Sequence, residues 1–292
     1  MKQVNFDYIN EHFPRRPDDA HKGTMGTLIS LTGSLGFSGA AVMSAKAALR
    51  SGVGLHYQIL PRSIYTIFAS SVYESVCVPL GDADTASLNK GFIPDIEPYL
   101  NKATAVLIGC GLGNTEDTAE ITHAVLSSVK CPVIIDADGI NALAPHIHMI
   151  DDADCDIVLT PHIKEFSRIS GMSVGDILAD PSGAALAFCE KRPGVTLVLK
   201  SHRTYIARGG EIFENTAGNS GMAKGGSGDV LAGIISSLAA QGAGAFEAAV
   251  MGVHIHALAG DLAASELSRT AMLPSDIIEA LPRIYKQIEN DN

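Results

Sequence analysis

The residues with the clearest capacity for chemistry lie in one glycine-rich stretch, residues 219–233. Five of its fifteen residues are glycine, and the apolar spacing of Val230, Leu231 and Ile234 predicts that a helix begins within it. Glycine allows a ligand to approach the backbone closely, and the first turn of a helix presents unpaired N–H groups to an anion. The stretch therefore predicts a binding loop for a phosphoryl group.

Asp229 lies in the first turn of this predicted helix. Its carboxylate could act as a general base toward a nucleophile held beside the phosphoryl group. A tight loop closed by an acidic side chain is the alternative interpretation. A Walker A loop is not indicated, because Ser227 follows Gly226 where that motif requires lysine. Residues 109–113 are also glycine-rich, but their spacing does not fit a dinucleotide-binding fingerprint.

Polar residues that could bind a ligand or take part in a reaction follow three other predicted strands. His162 and Glu165 stand three residues apart at a strand-to-helix corner, where both could address one pocket. Alternatively, Glu165 simply occupies the first turn of a helix that proline starts. Residues 200–204 could wrap a nucleotide or form an ordinary basic turn. Asp136 and Asp138 could hold a hydrated Mg²⁺, although Asp138 equally suits a helix N-cap.

Composition and charge narrow the classes of function. The chain has 292 residues and a formal charge of −11, a sign that disfavours binding to nucleic acid. Its five cysteines include no Cys-x-x-Cys pair, which indicates neither a disulfide framework nor a zinc site and suits a reduced cytoplasm. No continuous apolar run approaches the ~18 residues of a spanning helix, and the N-terminus lacks a signal-peptide pattern. We therefore expect a cytoplasmic protein without a membrane role.

Short apolar strands alternate with helical patterns along the chain. The predicted strands are residues 27–32, 55–60, 75–78, 105–108, 133–135, 157–159 and 195–199. This alternation predicts a mostly parallel sheet with helices on both faces, and ligands in such sheets bind at the carboxyl ends of the strands. Residues 204–207 and 211–214 predict a hairpin, and therefore an antiparallel edge. Residues 81–98 are predicted to form a loop, and the absence of any linker favours one domain.

Taken together and in this order, the segments resemble the NAD(P)H-hydrate dehydratases of the ribokinase-like superfamily. The resemblance is most specific in residues 200–204 and 219–233, and it also includes segments 21–23, 33–41, 109–113, 136–141 and 160–165. It implies a three-layer α/β/α ribokinase-like fold in a single domain, residues 1–292. It further implies that ADP or ATP, with ADP favoured, drives loss of water from the S epimer of NADH or NADPH hydrated at C6 of the nicotinamide ring.

The resemblance also implies a role for individual residues. Those implied to contact the hydrated cofactor are Ala40, Gly111, Gly113, His162 and Asp229. Those implied to contact the nucleotide are Lys200, Ser201, His202, Arg203, Thr204, Asn219, Gly225, Gly226 and Gly228. Glu165 falls where related kinases bring a carboxylate to the hydration shell of Mg²⁺. Cys110, where proline is common, and Ser201, where glycine is frequent, depart from the family pattern but leave the backbone path possible.

On this interpretation, phosphorylation of the 6-hydroxyl group creates a leaving group that the ring nitrogen can expel. We expect Asp229 to take the hydroxyl proton and the amides of residues 225–228 to stabilise the transferring phosphoryl group. One alternative is a kinase of the same fold that acts on a hydroxymethylpyrimidine or hydroxyethylthiazole. His162 and residues 109–113 favour the dehydratase over this kinase. Another alternative is a nucleotide sensor without catalysis, and the acid at position 229 argues against it.

Two further expectations concern partners and geometry. The resemblance implies a homo-oligomer, commonly a tetramer, that acts with a separate NAD(P)H-hydrate epimerase, because the chain has no room for that domain. Within the glycine-rich stretch, we expect Gly228 to face the nucleotide and Asp229 to face the hydrated ring.

Overall fold

A computed structural model describes residues 1–290 of the chain and shows a ten-stranded sheet. The strands are β1 (Lys2–Gln3), β2 (Thr27–Leu31), β3 (Leu55–Pro61), β4 (Val76–Leu80), β5 (Ala105–Ile108), β6 (Val133–Ile135), β7 (Ile157–Leu159), β8 (Val195–Leu199), β9 (Thr204–Arg208) and β10 (Glu211–Asn215). Their order across the sheet is β1-β10-β9-β8-β7-β6-β5-β2-β3-β4. Neighbouring strands are parallel except around β9, which runs antiparallel to both β8 and β10.

The helices flank this sheet. They are α1 (Phe6–His12), α2 (Ser38–Arg50), α3 (Tyr65–Ala69), α4 (Ile93–Leu100), α5 (Glu116–Ser128), α6 (Asp138–Leu143), α7 (Ile163–Ser170), α8 (Val174–Ala179), α9 (Pro181–Glu190), α10 (Ser227–Ala240), α11 (Ala245–Leu267) and α12 (Pro274–Asn290). Short 3₁₀ segments precede α3, α4 and α10 and follow α6.

Two hydrophobic cores cover the two faces of the sheet. Strand side chains alternate between them, so that Leu107 packs in one core while Val106 and Ile108 pack in the other. The first core is completed by α2, α10, α11 and α12, and the second by helices α4 to α9. The three-layer α/β/α fold, the mostly parallel sheet and the antiparallel hairpin are therefore confirmed.

The local predictions were wrong or silent in segments where proline and polar residues are frequent. Part of the predicted loop 81–98 is helical, because α4 accepts proline in its first turn and buries Ile96 and Leu100 four residues apart. The N-terminal segment also contains a helix, α1, whose N-cap Asn5 accepts a hydrogen bond from the Tyr8 amide. Helices α8 and α9 were not predicted.

Helix α11 corrects the prediction that no apolar segment reaches the length of a membrane span. Within residues 1–290, it is the only helix of 18 or more residues whose mean hydropathy is high enough for a membrane span. It packs against α10, α12 and the sheet, and 67% of its most apolar window is buried inside the protein. Its hydrophobicity is therefore accounted for by the core that it helps to form.

Candidate active site

The first turn of α10 presents free backbone donors. The left-handed N-cap Gly226 has φ 101°, and a Cβ built there would lie 2.4 Å from Met43 Cε, so this position requires glycine. The Ser227 amide donates to the Lys224 carbonyl. Among the described residues, the amides of Gly225, Gly226 and Gly228 donate to no protein acceptor. The amides of Gly225, Gly226 and Gly228 are therefore available to an anion, whereas the amide of Ser227 is not.

Side chains anchor the loop that leads into α10. Asn219 Oδ1 accepts from the Gly221 amide, and its Nδ2 donates to Asp261 Oδ1 at 2.8 Å. Asp261 Oδ2 accepts from the Gly218 amide at 2.9 Å. Lys224 Nζ donates to the carbonyls of Thr270 and Met272. These contacts hold the glycine-rich loop against α11 and the segment before α12, so the free amides occupy fixed positions.

A cavity of about 780 Å³ lies beside this loop. Seven of the predicted site residues line it: His162, Lys200, Ser201, His202, Thr204, Asn219 and Gly228. Arg203 does not, because its guanidinium pairs with Glu214 Oε1 at 2.9 Å. Gly225 and Gly226 lie outside the lining, in the turn that leads to Gly228. The segment after β8 and the start of α10 therefore share one cavity, as the predicted nucleotide site requires.

The apolar wall of this cavity was missing from the sequence prediction. It includes Met222, Leu231, Val253 and Ala257, with His256 beside them. Positions 253, 256 and 257 have the i, i+3, i+4 spacing of one helix face, which is the signal that could have revealed them. A wall of this kind suits the flat, apolar faces of a heterocyclic base.

The two histidines of α11 are both buried, and they differ in what they contact. His254 Nδ1 lies 2.7 Å from Asn215 Oδ1 and packs within the protein. His256 borders the cavity and lies 3.3 Å from the Ser227 hydroxyl through its Nε2 atom. Burial, with a contribution from the Lys200 charge, lowers the pKa of His256 to about 4. The ring is therefore neutral at physiological pH and contributes a polar but uncharged surface.

The Asp229 carboxylate points away from the cavity lining, toward Cys110 and Asp136. One ligand atom from each of these three residues lies within 4.8 Å of the other two. The pKa of Asp229 is raised to about 7, first by burial and then by the nearby Asp136 charge, while a hydrogen bond with Cys110 opposes the rise. A carboxylate that changes protonation near neutral pH is well matched to general-base catalysis.

Asp136 is held in its charged form by the end of β8. Lys200 Nζ donates to Asp136 Oδ1 at 2.9 Å, the Thr160 hydroxyl donates to the same oxygen, and the Cys110 thiol donates to Oδ2 at 3.6 Å. Burial opposes ionisation of Asp136, but Lys200 and these hydrogen bonds outweigh it and lower its pKa. Lys200 is therefore both a cavity residue and the counter-ion of Asp136.

Asp138 is not the N-cap of α6. Its Oδ2 accepts a hydrogen bond from the Gly113 amide at 2.9 Å, and the N-cap of α6 is Ala137, whose φ is 49°. Asp138 instead links the loop of residues 109–113 to the end of β6.

His162 and Glu165 form a capping box at the start of α7. His162 Nδ1 accepts from the amides of Lys164 and Glu165, while Glu165 Oε2 accepts from the His162 amide at 2.8 Å. Burial raises the pKa of Glu165, against an opposing effect of the Lys200 charge. Glu165 therefore caps the helix, as the alternative interpretation has it, and of these two residues only His162 borders the cavity.

The remaining predicted substrate residues come together on the other side of the α10 N-terminus. A Cβ built on Gly111 would lie 2.8 Å from Ala40 Cβ, so the glycine loop packs directly on the first turn of α2. Gly113 follows in the same loop, and Cys110 connects this loop to Asp229. His162 is separated from this group and lines the cavity with Lys200.

The sequence profile of the family described as NAD(P)H-hydrate dehydratase matches residues 28–283 of the chain. The chain belongs to the NAD(P)H-hydrate dehydratase family. It is 31% identical to the ADP-dependent (S)-NAD(P)H-hydrate dehydratase of Lactiplantibacillus plantarum, over 99% of each chain. It is 34% identical to a bifunctional NAD(P)H-hydrate repair enzyme of Moorella thermoacetica, over 97% of this chain and 54% of the relative. The chain thus spans about half the length of such bifunctional relatives.

A solved structure of the same family supports the fold of this dehydratase-family chain. The ADP/ATP-dependent NAD(P)H-hydrate dehydratase from Bacillus subtilis, co-crystallised with ATP/Mg²⁺, superimposes with a TM-score of 0.82. The two are 26% identical, and the similarity covers 98% of each chain. The ribokinase-like assignment is therefore confirmed, and membership in the dehydratase family favours the dehydratase over the kinase alternative.

Proposed function

We propose that this protein is a hydro-lyase that restores NADH or NADPH from the S epimer of its hydrate, coupled to consumption of an adenine nucleotide. The observation that carries the proposal is the position of Asp229 beside the free amides of Gly225, Gly226 and Gly228. A base and an anion site at the start of one helix are what phosphoryl transfer to a hydroxyl group requires. The adjoining cavity provides a site for the nucleotide.

Asp229 accepts the proton of the 6-hydroxyl group while the hydroxyl oxygen attacks the terminal phosphorus of the nucleotide. The bond between that phosphorus and the bridging oxygen breaks, and AMP leaves when ADP is the donor. The three free amides stabilise the negative charge that develops on the transferring oxygens. Lys200, at the cavity edge, adds positive charge on the same side. The lone pair of the ring nitrogen then expels inorganic phosphate from C6, and loss of a proton from C5 completes the double bond of NAD(P)H.

The residues around Glu165 suit a water-mediated Mg²⁺. Glu165 is 5% exposed and lies near Lys200 and Asp136, and its Oε1 lies 3.5 Å from His162 Nε2. Oxygen ligands with intervening waters are the normal environment of Mg²⁺ beside phosphates. Glu165 would hold the ion through its hydration shell, and the ion would neutralise phosphate charge when bound.

Four further features are proposed with the function. Relatives named as ADP-dependent support ADP over ATP as the phosphoryl donor. The single dehydratase domain over residues 1–292 is proposed to act with a separate NAD(P)H-hydrate epimerase. A homotetramer in the cytoplasm completes the proposal, and the five free cysteines suit a reducing compartment. Light scattering of the purified protein tests the tetramer directly.

One assay tests the activity. The protein is incubated with chemically hydrated NADH, Mg²⁺ and either ADP or ATP, and recovery of the reduced nicotinamide is followed by its absorbance at about 340 nm. We expect recovery with ADP, only from the S epimer, and its loss in Asp229→Asn. Absence of recovery, together with phosphorylation of hydroxymethylpyrimidine or hydroxyethylthiazole, would replace the proposal by the kinase.

A further inference from the structure

Phe37 is an exposed aromatic residue in the loop between β2 and α2, next to the proposed substrate residues. It is 60% exposed, and none of the ring–ring contacts within residues 1–290 involves it. Leu35, two residues earlier, is also 60% exposed. An apolar ring that the fold leaves in solvent, beside a ligand site, is a candidate contact for that ligand.

The position of Phe37 is fixed by the glycine loop. A Cβ built on Gly111 would lie 2.9 Å from Phe37 Cβ and 2.8 Å from Ala40 Cβ, so both residues pack against Gly111. The Gly33 amide donates to the Cys110 carbonyl at 2.8 Å, and the Ser34 hydroxyl donates to the Gly111 carbonyl at 2.8 Å. The backbone that carries Phe37 is therefore tied to the loop that reaches Asp229 through Cys110.

This arrangement determines what lies near Phe37 when the substrate is bound. The 6-hydroxyl group must reach Asp229, so the nicotinamide ring that carries it lies against residues 110 and 111. Phe37 lies directly beside Gly111 through its Cβ atom, and most of its side chain is exposed to solvent. We propose that Phe37 is a substrate-binding residue whose ring covers the face of the hydrated nicotinamide. The inference rests on the proposed function and names a contact that it does not include.

A ring that stacks equally on the substrate and the transition state changes KM and leaves kcat unchanged. Phe37→Ala is therefore expected to raise KM for the hydrated cofactor roughly tenfold with kcat and the affinity for ADP preserved. Phe37→Tyr should retain the wild-type KM. Tyr73→Ala is the matched control, because Tyr73 is an exposed aromatic residue in a different segment, between α3 and β4. An unchanged KM in Phe37→Ala, or an equal effect of Tyr73→Ala, would overturn the proposal.

A second measurement does not depend on turnover. The chain contains no tryptophan, so Phe37→Trp introduces a single indole fluorophore. Titration with NADPH should quench its emission and transfer energy to the reduced nicotinamide, whereas Tyr73→Trp should show neither effect. If the wild-type protein lacks dehydratase activity while Trp emission at position 37 responds to NADPH, the proposed function fails and the contact stands. No response in a folded, active Phe37→Trp protein refutes the contact alone.

Discussion

The pH dependence of turnover tests Asp229 as the general base. Only the deprotonated carboxylate can accept a proton, so activity is expected to fall as pH decreases through the pKa of Asp229, about 7. At that pKa, about one tenth of the groups are deprotonated at pH 6 and about nine tenths at pH 8. We therefore expect kcat/KM to be roughly tenfold lower at pH 6 than at pH 8. An aspartate with an ordinary pKa near ~3.9 would give almost no difference over this interval.

Two variants test whether Asp229 causes this fall in activity at low pH, which is the acid limb of the pH profile. Asp229→Asn should reduce kcat by about 10²- to 10⁴-fold, remove the limb, and leave the affinity for ADP nearly intact. Asp136→Asn removes a neighbouring negative charge, so it should move the limb to lower pH, as far as burial of Asp229 allows. The profile is measured with saturating ADP and a range of hydrated NADH concentrations. Wild-type turnover in Asp229→Asn, or a limb that stays near pH 7 in that variant, refutes the assignment.

Three other substitutions probe the elements around Asp229. Lys200→Met leaves Asp136 buried without its counter-ion. It should lower the free energy of unfolding by about 3 kcal/mol in urea denaturation, and it should weaken ADP binding. The double variant Lys200→Met/Asp136→Asn should recover most of the stability, because it removes the unpaired charge. Equal stability of Lys200→Met and the wild type would contradict this. Gly226→Ala places a Cβ against Met43 at positive φ and should cost about 1–3 kcal/mol, seen as a lower Tm. Ala257→Phe should fill the cavity wall and weaken ADP binding by more than about tenfold without loss of fold, and unchanged binding by calorimetry would place the nucleotide elsewhere.

The sheet could be predicted from the sequence because its strands are buried on both faces. Strands β5, β6 and β7 are continuous apolar runs, and β8 is interrupted only by Thr196. The predicted limits of all four strands match the structure. Helices α4, α8 and α9 were not predicted from the sequence. Each contains or adjoins proline, glycine or aspartate, and these residues are also typical of loops. The stability of these helices comes from apolar residues such as Ile96 and Ile177 that pack on the sheet.

The candidate site was only partly predictable, because contacts between distant residues decide it. The sequence indicated that residues after β6, β7 and β8 would gather at one edge of the sheet. It could not show that Lys200 pairs with Asp136, 64 positions away, since that depends on neighbouring strands and side-chain reach. It also could not show that Arg203 turns to Glu214 on β10. Both pairings follow from the strand order, which local patterns do not specify.

Helical geometry explains how neighbouring residues of α10 can serve two ligands. Successive residues of an α-helix are rotated by about 100° around its axis, so adjacent positions address different directions. Gly228 borders the cavity, where a Cβ would lie 3.3 Å from Lys200 Nζ, while the Asp229 carboxylate lies among Cys110 and Asp136. The amides of Gly225, Gly226 and Gly228, which donate to no described acceptor, come immediately before Asp229 in the chain. A phosphoryl group bound there would be shared by a nucleotide on the Gly228 side and a hydroxyl group on the Asp229 side, which is the arrangement that transfer between them requires.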